Sequence, residues 1–329
     1  MTVSVAMATC NGLPYLKEQL DSIRQQTLAA DEIVVCDDAS TDGTWEYVID
    51  VARCDARVRV HRNEIRVGST ANFARAIEFC RGDVIFLSDQ DDVWAPNKVA
   101  RMTAVLKAEG AALVMSNGIL VAADGTDQGR SLWQANGIDT KVALELQSRR
   151  AGALLAARVY VTGSATCFVT SLVHDVLPIP EHAWHDRWLA LIASLARPGA
   201  IRLLDEPLYR YRQHAGNQIG AGGYGWWRRV GVEVASTADI EADIECLAAA
   251  RLRLEELVAR YPDAGAVAKQ YSLDRLLSGR LQHQRRRMQY VAREMPMWSA
   301  FLRYPEYRAF SRGGRTLLRD MLTRLYQRL

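Results

Sequence analysis

No stretch of this 329-residue chain approaches the roughly 18 consecutive apolar residues that a membrane-spanning helix needs. The six cysteines, Cys10, Cys36, Cys54, Cys80, Cys167 and Cys246, show no CxxC or ligand-like spacing. Several sit in or beside apolar strand-like runs, where free Cys behaves as a small hydrophobe, so a reduced, cytosolic chain is expected. No GxGxxG follows the first strand, and Walker, GxSxG and HExxH patterns are missing. Dinucleotide oxidoreductases, P-loop NTPases and α/β-hydrolases therefore lose ground. The N-terminus lacks a basic segment followed by a long apolar one, so Met1–Ala8 reads as a strand and not a signal peptide. Net charge is also small: 41 Lys and Arg against 38 Asp and Glu give +3, too little to imply a nucleic-acid partner.

What is there is ordinary globular composition, 49% apolar, 24% charged and 8% aromatic, which excludes disordered, collagenous and disulfide-scaffold classes. The charge is uneven. Residues 226–329 hold 19 basic against 12 acidic side chains, whereas residues 1–225 hold 22 against 26. An acidic front and a basic back suggest two regions with different tasks.

The first third alternates strand and helix patterns. Val3–Ala8, Glu32–Cys36, Arg57–His61 and Val84–Ser88 read as strands, with helical spacing over Leu13–Ile23, from Thr44, and around Thr70–Cys80. This order predicts an α/β fold with a mostly parallel sheet and helices on both faces, whose ligands bind at the carboxyl ends of the strands. Further on, Ala112–Ser116, Val159–Thr170, Ile201–Leu204 and Leu208–Arg212 read as strands and Ala183–Leu195 as a helix. The Gly-rich Gly216–Gly225 reads as a linker or loop, followed by helices over Trp226–Tyr261, Asp263–Met295 and Pro305–Leu329.

Four places carry candidate chemistry. Asp89, Asp91 and Asp92 directly follow a buried-looking strand, and residues two apart in an extended segment point the same way. Two such carboxylates repel unless a cation lies between them, and oxygen ligands suit Mg²⁺ or Mn²⁺. A polar turn capping the helix near Pro96 is the alternative. Asp37 and Asp38 end the second strand, before Ser40 or Asp42 as an ordinary helix cap; a carboxylate there can also accept from a base imide. Asp186, after His185, either caps the helix that follows or acts as a general base. His214, at a strand end before the Gly-rich loop, is a metal candidate.

At these residues the chain resembles the family 2 glycosyltransferases of GT-A fold, and most of all the bacterial rhamnosyltransferases of surface polysaccharides such as O-antigen. The likeness is carried in order by Met7-Ala8-Thr9-Cys10-Asn11-Gly12 with Tyr15, Gln19-Leu20-Asp21-Ser22-Ile23, Cys36-Asp37-Asp38 through Thr44, Asn72-Phe73, Ser88-Asp89-Gln90-Asp91-Asp92-Val93-Trp94, Thr162-Gly163-Ser164, His185-Asp186, and Tyr211-Arg212-Gln213-His214. It implies a Rossmann-like GT-A domain over residues 1–222, with a nucleotide-sugar half to about 118 and an acceptor half beyond, and a basic helical region over 223–329. It implies that Thr9, Asn11, Tyr15, Asp38, Asn72, Asp89, Gly163, His185 and Arg212 meet the donor, that Asp89, Asp91 and His214 hold Mg²⁺ or Mn²⁺, and that Asp186 is the base. His185 stands where the family has Glu, and Cys10 where it usually has Tyr. The implied reaction is inverting transfer, from dTDP-L-rhamnose or alternatively a UDP-sugar, onto a lipid-linked glycan. A single displacement needs one base and a cation on the departing diphosphate, which matches this division of carboxylates better than a hydrolase pair does.

The last stretch, Gly279–Leu329, holds 12 Arg and no Lys against Glu294, Glu306 and Asp320. Leu318, Met321, Leu322 and Leu325 recur at helical spacing, with Arg319, Arg324 and Arg328 off that stripe. Such a helix lies on an anionic membrane or packs on the protein or a second copy, as a homodimer. The expectation is a peripheral enzyme at the inner face of the cytoplasmic membrane. The rival is a non-catalytic or nucleic-acid-binding α/β protein, which would be expected to lose Asp91 or Asp186.

Overall fold

The computed structural model describes residues 1–214 and 237–310, except 159, 182, 293, 297 and 298, together with 316–318, 320, 321 and 323. Contacts divide the chain into two compact units, residues 1–152 with 160–213, and residues 153–159 with 214–329.

The first unit is built on one mixed sheet of β1 (Val3–Thr9), β2 (Glu32–Asp37), β3 (Val58–Arg62), β4 (Val84–Ser88), β5 (Val93–Trp94), β6 (Leu113–Ala122), β7 (Asp127–Ser131), β8 (Thr166–Val169) and β9 (Ile201–Gln213). The order is β3-β2-β1-β4-β8-β6-β9-β5, with β7 on β6. Helices Leu13–Arg24, Thr44–Cys54 and Ser69–Phe79 connect the first four strands, which pair in parallel. β1, β2 and β4 are almost continuous Val, Ile, Ala, Leu and Phe, and nearly every side chain is buried. That is how a parallel strand covered on both faces reads. Their carboxyl ends lie side by side, with Thr9 opposite Asp37 and Met7 opposite Ser88.

The mostly parallel expectation holds for this half alone. β8 runs antiparallel to both β4 and β6, and β5 and β7 are antiparallel to β9 and β6. Among the described residues of the expected strand Val159–Thr170 only Thr166–Val169 forms, after a single 3₁₀ turn at Gly163–Ala165. The two expected strands at 201–212 are one, β9, pairing in parallel with β6. Pro207 has no N–H for the ladder, and the register shifts opposite it, around Asn117. There the Tyr209 ring lies 2.7 Å from where a Cβ on Gly118 would sit.

The second unit is helical. Thr237–Arg260 packs on Leu273–Val291, with Pro262–Gln270 between them. The expected helix over 263–295 breaks at Ser272, which has φ 49°. Ile240, Tyr290, Val291, Ala300, Tyr307 and Leu317 form its core, and Met321 packs against them. Two arginines of the basic stretch are internal: Arg287 donates twice to Asp320, both at 2.7 Å, and Arg280 donates to Asp243 at 3.0 Å. Within the described residues, then, Met321 serves this unit's own core, while Leu318, Phe301 and Leu302 are exposed. Residues 319, 322 and 324–329 of the amphipathic stripe, the Gly-rich stretch and Trp226 lie outside the described residues. No described helix is long and apolar enough to cross a membrane.

Candidate active site

The carboxyl ends of β1, β2 and β4 carry the side chains singled out by the sequence. Gly43 is the N-cap of helix Thr44–Cys54, and Asp42 just before it accepts from Thr44 N at 3.0 Å, so Asp37 and Asp38 are left for other work. Asp37 accepts from Thr9 Oγ1 at 3.3 Å and Ser40 N at 3.0 Å, and pairs with Arg62 at 3.5 Å. Asp38 accepts from Asn63 Nδ2 at 2.8 Å and from the N–H groups of Val67 and Gly68 at 2.8 and 2.9 Å. Asn72 is 1% exposed, donates to the Cys36 carbonyl at 2.8 Å and accepts from Asn63 at 3.0 Å. Asn72 is therefore a strut behind the carboxyl ends of β1 and β2. The reason is that a buried amide must satisfy itself where it stands. Asn11, at φ 50°, is exposed and holds Thr41 N at 2.8 Å through its Oδ1.

The acidic motif is not a helix cap: Val93–Trp94 follows it as β5, and helix Lys98–Glu109 begins after Asn97, whose side chain makes no cap bond. Four clamps shape the motif. Gln19 Nε2 donates to the Asp89 carbonyl at 3.2 Å. Gln90 pairs with the Cys10 backbone in both directions, accepting from its N–H at 2.8 Å and donating to its carbonyl at 3.1 Å. A Cβ on Gly12 would collide with that Gln90 side chain. Arg212 donates through Nε to the Asp91 carbonyl at 2.9 Å, through Nη1 to Ala123 O at 2.9 Å and through Nη2 to Glu18 at 2.6 Å, and it stacks over Tyr15 at 5.1 Å. Its main-chain N–H donates to Asp92 Oδ1 at 3.1 Å. Arg212 and Tyr15 thus brace the motif, at positions where the resemblance implies donor contact. Gln90, Gln19 and Lys98 were missed, because nothing in their local spacing announces partners 66 to 80 residues away.

Asp186 stands in the first turn of helix His185–Ala196, 6% exposed, accepting from Arg187 N at 2.6 Å and Gly163 N at 3.2 Å. The fold brings it into electrostatic range of the motif. Burial, then repulsion from Asp91, Asp92 and Asp186, holds Asp89 well above the ordinary carboxylate range. Burial and Asp91 likewise push Asp92 up. His185 stacks on Phe73 with ring centroids 3.9 Å apart, and neither of its ring nitrogens has a hydrogen-bond partner. Burial lowers its pKa below 6.5, so the ring is neutral at neutral pH.

Excess negative charge on hard oxygen donors at a strand end fits Mg²⁺ or Mn²⁺. Among the described residues no three His, Cys, Asp or Glu side chains converge on a metal position. His214 is grouped with the second unit. A pair of carboxylates that leaves positions for water and phosphate is how Mg²⁺ is usually held.

A parallel first half, a mixed second half and an acidic turn after β4 define the class: this is a GT-A fold. It is similar to TarS of S. aureus (residues 1–349, in complex with UDP-GlcNAc), with TM-score 0.59, 17% identity and coverage of 100% of this chain and 92% of that one. It is also similar to the mannosyltransferase PcManGT of Pyrobaculum calidifontis, in complex with GDP-Man and Mn²⁺, with TM-score 0.51, 17% identity and coverage of 99% and 88%. Residues 4–163 match the family described as Glycosyl transferase family 2. Among curated relatives, an uncharacterized glycosyltransferase of Nostoc sp., alr2836, is 29% identical over 232 residues, 66% of each chain. The Escherichia coli UDP-Glc:alpha-D-GlcNAc-diphosphoundecaprenol beta-1,3-glucosyltransferase WfgD is 30% identical over 104 residues, 32% of this chain and 40% of that one. The chain thus spans less than two thirds of the length of the curated relatives it matches.

Proposed function

We propose that this chain is an inverting, metal-dependent glycosyltransferase that moves a sugar from a nucleotide-sugar donor to a lipid-linked cell-surface glycan. The observation that carries this is the convergence of Asp186, from the start of a helix, with the acidic turn after β4, nearly 100 residues earlier. In the reaction, an acceptor hydroxyl attacks the anomeric carbon, its proton passes to Asp186, and the bond from that carbon to the diphosphate oxygen breaks. The Gly163 N–H orients the Asp186 carboxylate, and Gln19, Gln90 and Arg212 keep the motif aimed. Asp89 and Asp91 would hold Mg²⁺ or Mn²⁺, which when bound would supply Lewis-acid stabilisation of the leaving diphosphate.

Motif resemblance favours dTDP-L-rhamnose as donor. A UDP-sugar is favoured by the names of the relatives, among them a UDP-glucose transferase and a structure holding UDP-GlcNAc. A lipid-linked acceptor is supported by the diphosphoundecaprenol substrate in the WfgD name, and with it goes the reading of a peripheral enzyme at the inner face of the cytoplasmic membrane. Exposed Phe301, Leu302 and Leu318, with Arg308, are the described side chains that suit an anionic lipid surface.

Purified protein is offered dTDP-, UDP- and GDP-sugars with Mn²⁺, and nucleoside diphosphate release is followed. Release from one donor, stopped by chelator, is expected. Neither release nor binding of any nucleotide-sugar would end the transferase reading.

A further inference from the structure

Beneath the acidic motif lies a lysine that the reaction as described does not use. Lys98 is 0% exposed. Its ammonium lies 4.1 Å from the Trp94 ring centroid and 4.4 Å from that of Tyr209, residues paired across β5 and β9. It donates a hydrogen bond to the main-chain carbonyl of Ser164. Burying an ammonium is unfavourable unless charge and hydrogen bonds compensate it, and a methionine of similar volume would fill this space more easily. Burial pulls the Lys98 ammonium well below the usual lysine range, and the nearby carboxylates of Asp92 and Asp89 only partly oppose this, so its fixed partners are the two rings and the Ser164 carbonyl.

Ser164 is the middle residue of the turn Gly163–Ala165. The first N–H of that turn is the one that donates to Asp186 Oδ2 at 3.2 Å. The turn has little freedom on its other side, because His185 Nε2 lies 2.7 Å from where a Cβ on Gly163 would sit. A short chain of contacts therefore runs from β5, the strand directly after the motif, through the lysine, into the turn that seats the base.

We propose that Lys98 is a positioning residue: it anchors the Ser164 carbonyl from beneath the acidic cluster and so fixes the Gly163 N–H that orients Asp186. This rests on the reading of Asp186 as the base. It assigns to one buried lysine the mechanical link between the acidic motif and the acceptor side of the site.

The test uses the full-length chain with Lys98→Met, which keeps volume without a donor, and Lys98→Gln, which keeps a donor without charge. Amide hydrogen exchange is followed across residues 162–168, and binding of UDP with Mn²⁺ is titrated. In Lys98→Met, exchange at the turn is expected to accelerate about tenfold while β1 and β2 stay protected and UDP affinity stays within about threefold. Turnover is expected to fall on the order of a hundredfold at unchanged donor KM. Lys98→Gln should recover part of both losses. Unchanged exchange at the turn overturns the proposal. Acceleration spread evenly over the sheet, or failure of both variants to fold, also overturns it and leaves Lys98 a purely structural residue. If the wild-type chain releases no nucleoside diphosphate from any donor, the transferase reading falls, while the exchange result still decides whether Lys98 holds the turn.

Discussion

The Gly163 N–H donates to Asp186 Oδ2 at 3.2 Å, and this contact joins the turn before β8 to the first turn of the helix that begins at His185. The turn comes this close because Gly163 has no side chain: a Cβ would lie 2.7 Å from His185 Nε2 and 3.6 Å from Asp186 Cβ. His185 is pinned in turn by Phe73, so it has no room to retreat.

Gly163→Ala is therefore expected to displace Asp186 and lower turnover on the order of a hundredfold. UDP binding in the presence of Mn²⁺ should survive. Adding His185→Ala, which removes the obstructing ring, should restore part of the turnover. Equal turnover for wild type and Gly163→Ala would show that the close approach has no bearing on the base.

Arg212 braces the motif through three separate acceptors, the Asp91 and Ala123 carbonyls and Glu18. Arg212→Ala leaves two of these carbonyls without their donor and should weaken Mn²⁺-dependent UDP binding about tenfold, roughly 1.4 kcal/mol. Arg212→Lys should recover little, because a single ammonium cannot span a three-way fork. Calorimetric titration of UDP measures both, and affinities equal to wild type would remove Arg212 from the account.

Gln90 imitates a peptide group against the Cys10 backbone. Gln90→Leu strands one N–H and one carbonyl and should lower stability by about 2 kcal/mol in urea unfolding. Gln90→Glu should be no better, since it loses the donor and adds a fifth carboxylate to a cluster of Asp89, Asp91, Asp92 and Asp186 that already repel one another. A loss under about half a kcal/mol for both would contradict the clamp.

His283, in the second unit, is held at a pKa of about 3, by burial first and then by Arg287, Arg280, Arg303 and Arg286. Glu306, 3.9 Å away, opposes this. The folded-state value lies below the unfolded one near 6.5, so the unfolded chain binds the extra proton as pH falls below about 6.5. Stability from this group is complete above that pH and declines below it, by about 2 kcal/mol at pH 5. His283→Phe keeps the edge contact with the Tyr307 ring and should flatten the profile between pH 7 and 5. Identical slopes for the two proteins would mean that another group sets the acid limit.

The parallel half of the sheet was legible because strands buried on both faces announce themselves as apolar runs, and β4 appears in the structure over the residues read from the sequence. β9 was read as two strands because Pro207 interrupts the local pattern, while pairing with β6 restores continuity that only tertiary contact supplies. Within the site, residue types and spacing pointed to Asp89, Asp91 and Asp186. They did not separate side chains that face a ligand from those that brace the ones that do. Asn72 and Arg212 belong to the bracing set, and their partners are 36 and up to 194 residues distant in the chain.

The most direct measurement of the central claim is binding and turnover in parallel for wild type, Asp91→Ala and Asp186→Ala. Binding is UDP titrated with and without Mn²⁺, and turnover is nucleoside diphosphate release. The account predicts that wild type binds UDP far more tightly with Mn²⁺, that Asp91→Ala loses this dependence, and that Asp186→Ala binds like wild type yet no longer turns over. Metal-independent UDP binding that is the same in all three proteins, or full turnover by Asp186→Ala, would contradict it.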